Sequence, residues 1–312
     1  MARSEVGVAI HKPTATSMLQ TIMQAEAAGV TKVWLTTGSG PDALTIFAAA
    51  AATTRTIRMG TAIVPTYPRH PLVVAQQSAD IAQMANGRFV LGLGPSHANI
   101  MEGRYGIPYK KPLGHLREYV AVVKALLSGH QTDFEGEHFK VHAKLNYGAQ
   151  VPVIISALRA GSFELAGEIS DGAVSWLCPA PYLRDVALPA LQRGAANRGK
   201  QRPPLIAHAF LALTTDPQEL QQGVNEFLPH YPRMTNYQEM FAAAGYPEAR
   251  QASWSDTMVE AVVLHGDENR CRQRLEAFMR TSGCDEIILS IMFVGADRNA
   301  SMQRALQWVA AL

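Results

Sequence analysis

The chain has few cysteines: Cys178, Cys271 and Cys284 are the only three in 312 residues. Their spacing suits neither a disulfide framework nor a zinc site, so they read as thiols in a reducing compartment. There is little excess of either charge. The formal net charge is +2, and no run of Lys and Arg forms a basic arm. That balance argues against nucleic-acid and membrane-surface partners. Long apolar runs are missing too. The longest Ala-rich stretch, Phe47 to Ala52, falls far short of the roughly 20 residues a membrane span needs. The N-terminus shows no apolar segment followed by a small-residue cleavage site, so a cytoplasmic location is expected. With 47% hydrophobic and 17% charged residues, the chain has enough apolar surface to bury a large core, and disorder is not expected.

Short β-branched runs alternate with longer helical patterns. Val6-Gly-Val-Ala-Ile10 reads as a buried strand, followed by a helix over Thr14 to Ala28 that Gly29 stops. Lys32-Val-Trp-Leu35 is a second strand, and Ser39-Gly-Pro-Asp42 opens a helix to about Ala52. A third strand spans Ile57 to Val64. Pro71 fits the first turn of a helix that ends at Asn86-Gly87, and Phe89-Val-Leu-Gly92 is the fourth strand. Spacing of about 25–30 residues demands parallel strands with helical crossovers. The second half is less regular. A helix over His115 to Leu127 precedes a hairpin, Thr132 to Val141, turning at Glu135-Gly136-Glu137. Further strands fit Val153–Ile155, Ala173–Trp176, Ile206–Thr214 and Glu286–Leu289. Helices fit Ser162–Glu168, Tyr182–Arg198, Glu268–Arg280 and Asn299–Ala311. Eight strands with intervening helices favour an α/β fold closed as a (β/α)8 TIM barrel, a single domain over residues 1–312. The stretch Pro217–Val263, with Pro229, Pro232 and Pro247 among aromatics, is too long for one connection and reads as an insertion over the catalytic face.

In such a barrel, chemistry lies at the C-terminal ends of the strands. That rule nominates His11, Lys12, Thr36, Thr37, Ala62, Ile63, Pro65, Pro95, Ser96, His97, Asn99, Ser156 to Arg159, and Trp176 to Cys178. The set holds hydroxyls, amides and imidazoles but almost no carboxylates. Hydrolysis by two facing carboxylates is therefore disfavoured. A metal site is disfavoured as well, since no two histidines share ligand spacing with an acid. A weakly charged, partly apolar mouth suits an organic cofactor that carries the chemistry itself. Leu91-Gly-Leu-Gly-Pro-Ser-His97 lacks the third glycine of a dinucleotide fingerprint, which argues against a Rossmann domain. His70 is read as a helix cap, and Cys178 as an inert thiol with no basic neighbour in sequence. The hairpin histidines His138 and His142 are expected to face solvent.

An ordered series of segments carries a family resemblance. It includes Asp42-Ala-Leu-Thr-Ile-Phe47, Arg55-Thr-Ile-Arg-Met-Gly60, Tyr67-Pro-Arg-His-Pro71, Ala75-Gln-Gln77 and Asn86-Gly-Arg-Phe-Val-Leu-Gly-Leu-Gly94. It continues through Arg104-Tyr-Gly-Ile-Pro108, Phe134-Glu-Gly-Glu-His-Phe139, Val151-Pro-Val153 and Leu165-Ala-Gly-Glu168. In this order the chain resembles the luciferase-like monooxygenase superfamily. Ser156-Ala-Leu-Arg159 and Asp171-Gly-Ala-Val-Ser-Trp176 are most similar to its branch of oxidoreductases that use the deazaflavin coenzyme F420.

The resemblance implies a bulge and a non-proline cis peptide at Ala62–Ile63, backing the cofactor ring. It implies that the loop from Ser96 to Asn99 lies beside the ring. Ser156, Ala157, Leu158 and Arg159 match the turn whose backbone N–H groups meet phosphate, and Trp176 and Leu177 approach the same region. The chain departs from sugar-phosphate-oxidising members, which carry an Asp-His pair where Thr37 and Gly38 stand, and a carboxylate where His97 stands. His97, then His11, are the candidates for handling the proton. The expected activity is hydride transfer between F420 and a small organic substrate. The alternatives are an FMN-dependent monooxygenase using molecular oxygen, and a non-catalytic flavin-binding paralogue. A homodimer is expected from the resemblance.

Overall fold

Eight parallel strands close into a ring in the computed structural model of the protein, which describes residues 6–312. They are Val6–Ala9, Lys32–Leu35, Arg58–Thr61, Phe89–Gly94, Val153–Ser156, Ala173–Val174, Leu205–Ala212 and Glu286–Ile291. Each pairs with the next in chain order. The eighth returns to the first through Val6↔Ile287, so no edge is left open. The (β/α)8 barrel is therefore formed as expected.

Local chemistry explains where the first helices begin and end. Thr14 accepts the N–H of Ser17 at the start of helix Ala15–Ala28, and Gly29, at φ 90°, ends it. Asp42 caps Ala43–Thr53 by accepting the Thr45 N–H. His70 caps Pro71–Ala85 through Nδ1, with Pro71 at the first helical position and Asn86 closing the helix at φ 50°.

Several expectations are corrected. The loop after the fourth strand is short, because a helix, Ala98–Tyr105, begins directly after His97. The ladder of the sixth strand stops at Val174, and Leu177 at φ 56° turns the chain. The stretch after the seventh strand holds three α-helices, Pro217–Phe227, Thr235–Ala243 and Asp256–Val262, and two short 3-10 helices, Tyr231–Arg233 and Pro247–Gln251. Val263–His265 then forms a further short strand on the upper half of the seventh, pairing Phe210↔Val263.

The barrel interior is layered by the two-residue period of strands. One buried apolar layer takes a residue from each strand segment, with Trp34 the largest among Ala9, Val90, Ile154, Ile206 and Ile288. Gly7 and Gly60 make room for the indole: a Cβ on either would lie 2.6 Å or 2.4 Å from Trp34 atoms. Below it Lys32 Nζ meets Glu286 Oε2 at 2.5 Å, and Trp34 Nε1 donates to Glu286 Oε1 at 3.1 Å. This end is plugged.

Candidate active site

Two residues further along the strands the interior changes character. Above Ala9, Trp34, Val90, Ile154, Val174, Ile206 and Ile288 stand His11, Thr36, Gly92, Ser156, Trp176, His208 and Ser290. This polar layer opens toward the C-terminal ends of the strands and contains no carboxylate.

The third strand is interrupted here. Between the pairs Gly60↔Val90 and Val64↔Leu93 it uses one more residue than its neighbour, which is a bulge. The peptide Ala62–Ile63 within it is cis, at the expected position. Backbone bonds hold the bulge on both sides. Ala62 N–H donates to Leu35 O (2.8 Å), and Thr37 N–H donates to Ile63 O (3.1 Å). Gly94 permits close approach, since a Cβ there would lie 2.2 Å from Ser156 Oγ and 3.0 Å from Ile63.

His11 follows the first strand and His97 the fourth, and they differ in setting. The imidazole of His11 is reachable by water, yet protein crowds it enough for burial to lower its pKa. Both facts fit a side chain on a concave wall. His97 is half-buried at the start of helix Ala98–Tyr105, 5.9 Å ring to ring from Tyr237, and burial lowers its pKa as well. Burial thus favours the neutral form of both. Ser96, at φ 61°, is held by Tyr109 Oη donating to its carbonyl (2.9 Å). Tyr109 stacks on Tyr67, which stacks on His115 at 3.9 Å. Asn99 is exposed in the first turn of the helix rather than in a loop.

The turn after the fifth strand differs from expectation in which N–H groups are free. Ala157 N–H donates to Val174 O, while the N–H groups of Leu158 and Arg159 both donate to Ser162 Oγ (3.0 and 3.1 Å). All three are spent within the protein. The N–H groups without an intrahelical partner are those of Ala160 and Gly161, the first two residues of helix Ala160–Ile169. The Arg159 side chain is exposed beside them. Tyr182 Oη donates to Leu158 O (3.1 Å) and Leu177 is buried behind the turn.

Trp176 is half-buried. Its Nε1 donates to Tyr231 Oη at 2.8 Å, which ties the sixth strand to the stretch between helices Pro217–Phe227 and Thr235–Ala243. Cys178 is fully buried and its thiol is pushed up to about 12 by burial, which disfavours the reactive thiolate. Of the hairpin histidines, His142 is exposed, but His138 is half-buried with Nε2 inside. On the rim, Lys12 Nζ and Arg298 sit over the Phe293 ring, at 5.0 and 5.6 Å.

Two residues of the polar layer escaped the sequence reading: His208 and Ser290. His208 lies mid-strand in Leu-Ile-Ala-His-Ala-Phe-Leu-Ala, and a lone imidazole in an otherwise apolar strand was the available signal. A pocket of about 220 Å³ between Glu268–Arg272 and Arg304–Ala311 holds none of the site residues, and Glu268 and Arg304 are paired there at 2.8 Å. Among the described residues no His, Cys, Asp and Glu cluster could hold a metal. Among the described residues no helix is long and apolar enough to cross a membrane.

The family model described as luciferase-like monooxygenase matches residues 1–286. The chain belongs to that family. It is 30% identical over 197 residues to a 5,10-methylenetetrahydromethanopterin reductase of Archaeoglobus fulgidus, covering 62% of this chain and 58% of the relative. The match thus spans little more than half of that relative's length. Among solved structures, an F420-dependent secondary alcohol dehydrogenase in complex with an F420-acetone adduct superposes with a TM-score of 0.83 at 18% identity, covering 97% of both chains. A type II Baeyer-Villiger monooxygenase from a plasmid of Pseudomonas putida, in complex with FMN, gives 0.77 at 17% identity, over 98% of this chain and 96% of that one. At these identities the structural likeness concerns the fold.

Proposed function

We propose that the protein is an oxidoreductase that transfers a hydride between coenzyme F420 and a small organic substrate. The observation that carries this reading is the polar layer at the mouth: imidazoles, hydroxyls and an indole with no carboxylate among them. Such a set positions ligands and moves single protons, and leaves redox chemistry to a bound cofactor. The donor set fits this group. Ala62 and Ile63 would back the ring, Ser96 and Asn99 would flank it, and Trp176 and Leu177 would border it toward the phosphate. Ala160 N–H, Gly161 N–H and Arg159 would take the phosphate, with Ser156, Ala157 and Leu158 shaping the turn. F420, when bound, supplies or accepts the hydride.

The protein's own side chains then have three tasks. The bulge and the Trp176 wall orient the planar group. The segment 217–263, proposed as an insertion within a single domain of residues 1–312, excludes water above it. His97, with His11 as second candidate, holds or accepts the proton at its free ring nitrogen. A neutral imidazole suits that task at pH 7, since it accepts a proton without first losing one. A curated relative from Nakamurella multipartita, an F420-dependent glucose-6-phosphate dehydrogenase 33% identical over 172 residues, supports this assignment. We further propose a homodimer. Val73 and Met84 are 46% and 45% exposed, and about three turns of helix separate them, which puts both on one face.

An FMN-dependent monooxygenase is the second reading, favoured by the FMN-bound structural neighbour. Oxygen uptake separates the two. Reduced F420 consumed with an electron-poor acceptor under argon supports the proposal. Consumption that requires dissolved oxygen and reduced FMN supports the second reading, and turnover of neither leaves a non-catalytic paralogue.

A further inference from the structure

The polar layer contains one imidazole that the proposed function leaves unused. His208 is fully buried, at 0% exposure, on the seventh strand. Its Nε2 lies 2.8 Å from Ser290 Oγ on the eighth strand. Its Nδ1 is buried with no partner. The ring lies flat against the indole of Trp176, with centroids 3.5 Å apart and planes 12° apart. The edge of Phe210 meets it at 5.1 Å and 89°.

An apolar residue would fill this position without an unpaired nitrogen, as Ile206 does one layer below. Keeping histidine here requires a compensating use, because a buried nitrogen without a partner is unfavourable whichever tautomer is present. The geometry supplies that use. A flat ring offers Trp176 a full face, and the Ser290 hydroxyl fixes the rotation of that ring. The far edge of the indole is fixed by Nε1 donating to Tyr231 Oη. Tyr231 in turn meets Tyr237 edge-on at 5.0 Å, and Tyr237 meets His97 at 5.9 Å. One line of contacts therefore runs from Ser290 in the interior, through His208 and Trp176, to the segment above the mouth and to His97.

We propose that His208, anchored by Ser290, is a positioning residue that clamps Trp176 against Tyr231 and so fixes one wall of the ligand site. Burial favours the neutral form of His208, which suits a ring used for its face. The proposal rests on the F420 reading only for its ligand; the clamp itself concerns Trp176 in the free protein.

The test uses the full-length chain and two readouts. Trp176 emission is isolated as the difference between each protein and its Trp176→Phe counterpart, and its quenching by acrylamide is measured. Binding of F420 is titrated in parallel. In His208→Leu the flat partner is lost, so acrylamide reaches Trp176 more readily and F420 affinity falls about tenfold, the scale of a lost aromatic pair. His208→Phe restores the flat face and recovers most of both readouts. Ser290→Ala removes only the anchor and gives a smaller change in the same direction; it also serves if His208→Leu does not fold. Wild-type quenching of Trp176 in both His208→Leu and Ser290→Ala would overturn the clamp. So would a His208→Phe variant no better than His208→Leu. If the wild-type protein does not bind F420, the functional reading falls while the quenching comparison still decides the clamp.

Discussion

The two ends of the barrel interior are built on opposite principles. At the N-terminal end of the strands, Lys32, Glu286 and Trp34 fill the space and satisfy one another, with glycines flanking the indole. At the C-terminal end, His11, His97, Trp176 and His208 surround a mouth with no carboxylate in its polar layer, and His208 keeps an unpaired nitrogen. The first end is paired and packed, as a structural base must be. The second tolerates unsatisfied groups, which is where ligand binding and catalysis are sited in this architecture. Substitutions at the two ends should therefore separate stability from activity.

The largest expected effect is at the mouth. If His97 manages the proton, His97→Ala lowers kcat by about 10²–10⁴ and leaves F420 affinity within a few-fold. Its unfolding free energy stays within about 0.5 kcal/mol of wild type. Steady-state kinetics with F420 and a urea titration check both halves. Loss of cofactor binding with kcat intact at saturation would make His97 a binding residue instead.

The matching substitution at the base is Lys32→Met, which leaves Glu286 buried without its counter-charge. Burial already raises the Glu286 pKa despite Lys32 and the Trp34 N–H. The expected loss of stability is about 3–5 kcal/mol. Lys32→Met/Glu286→Leu should recover most of it. Urea unfolding of the three variants decides, and F420 affinity should move in none that stays folded.

A third test concerns the neutral imidazoles near the mouth. Burial, with His138 nearby, lowers the His115 pKa from 6.5 to about 4. The folded pKa is depressed, so the unfolded chain binds the proton first. Stability from this group is present above pH 6.5 and is lost as pH falls toward 4. A shift of that size corresponds to at most about 3 kcal/mol. The slope of stability against pH between 6.5 and 4 should flatten in His115→Phe, which keeps the ring stacked on Tyr67. An unchanged slope would place the acid sensitivity elsewhere.

The smallest effect expected is at the turn after the fifth strand, where the proposal puts the cofactor phosphate. Arg159→Ala should weaken F420 binding by about 1–3 kcal/mol if the guanidinium makes a charge-assisted bond to phosphate. An unchanged dissociation constant at low salt would make Arg159 a surface charge.

Much of the structural framework was legible because its signals are local. Thr14, Gly29, Asp42, Pro71 and Asn86 mark helix ends by their own backbone and side-chain chemistry. The strands carry continuous apolar runs, since both of their faces are buried. Helix Ala98–Tyr105 was missed because only Met101 of it is buried, so no apolar stripe reveals it. The use of the N–H groups in the turn after the fifth strand was not legible, because only the folded turn brings the Ser162 hydroxyl onto those of Leu158 and Arg159. His208 and Ser290 were missed for a different reason. Strand periodicity puts them in the interior, but only the closed barrel brings the His208 ring onto Trp176 and the Ser290 hydroxyl onto Nε2.

The central claim is that the mouth is built for a deazaflavin, and it is tested most directly by titrating one purified preparation with F420 and with FMN at equal ionic strength. Protein fluorescence and cofactor absorbance are followed together. The account predicts saturable binding of F420, weaker binding of FMN, and weakening of the F420 curve by Arg159→Ala. Tight binding of FMN with no response to F420 would contradict it.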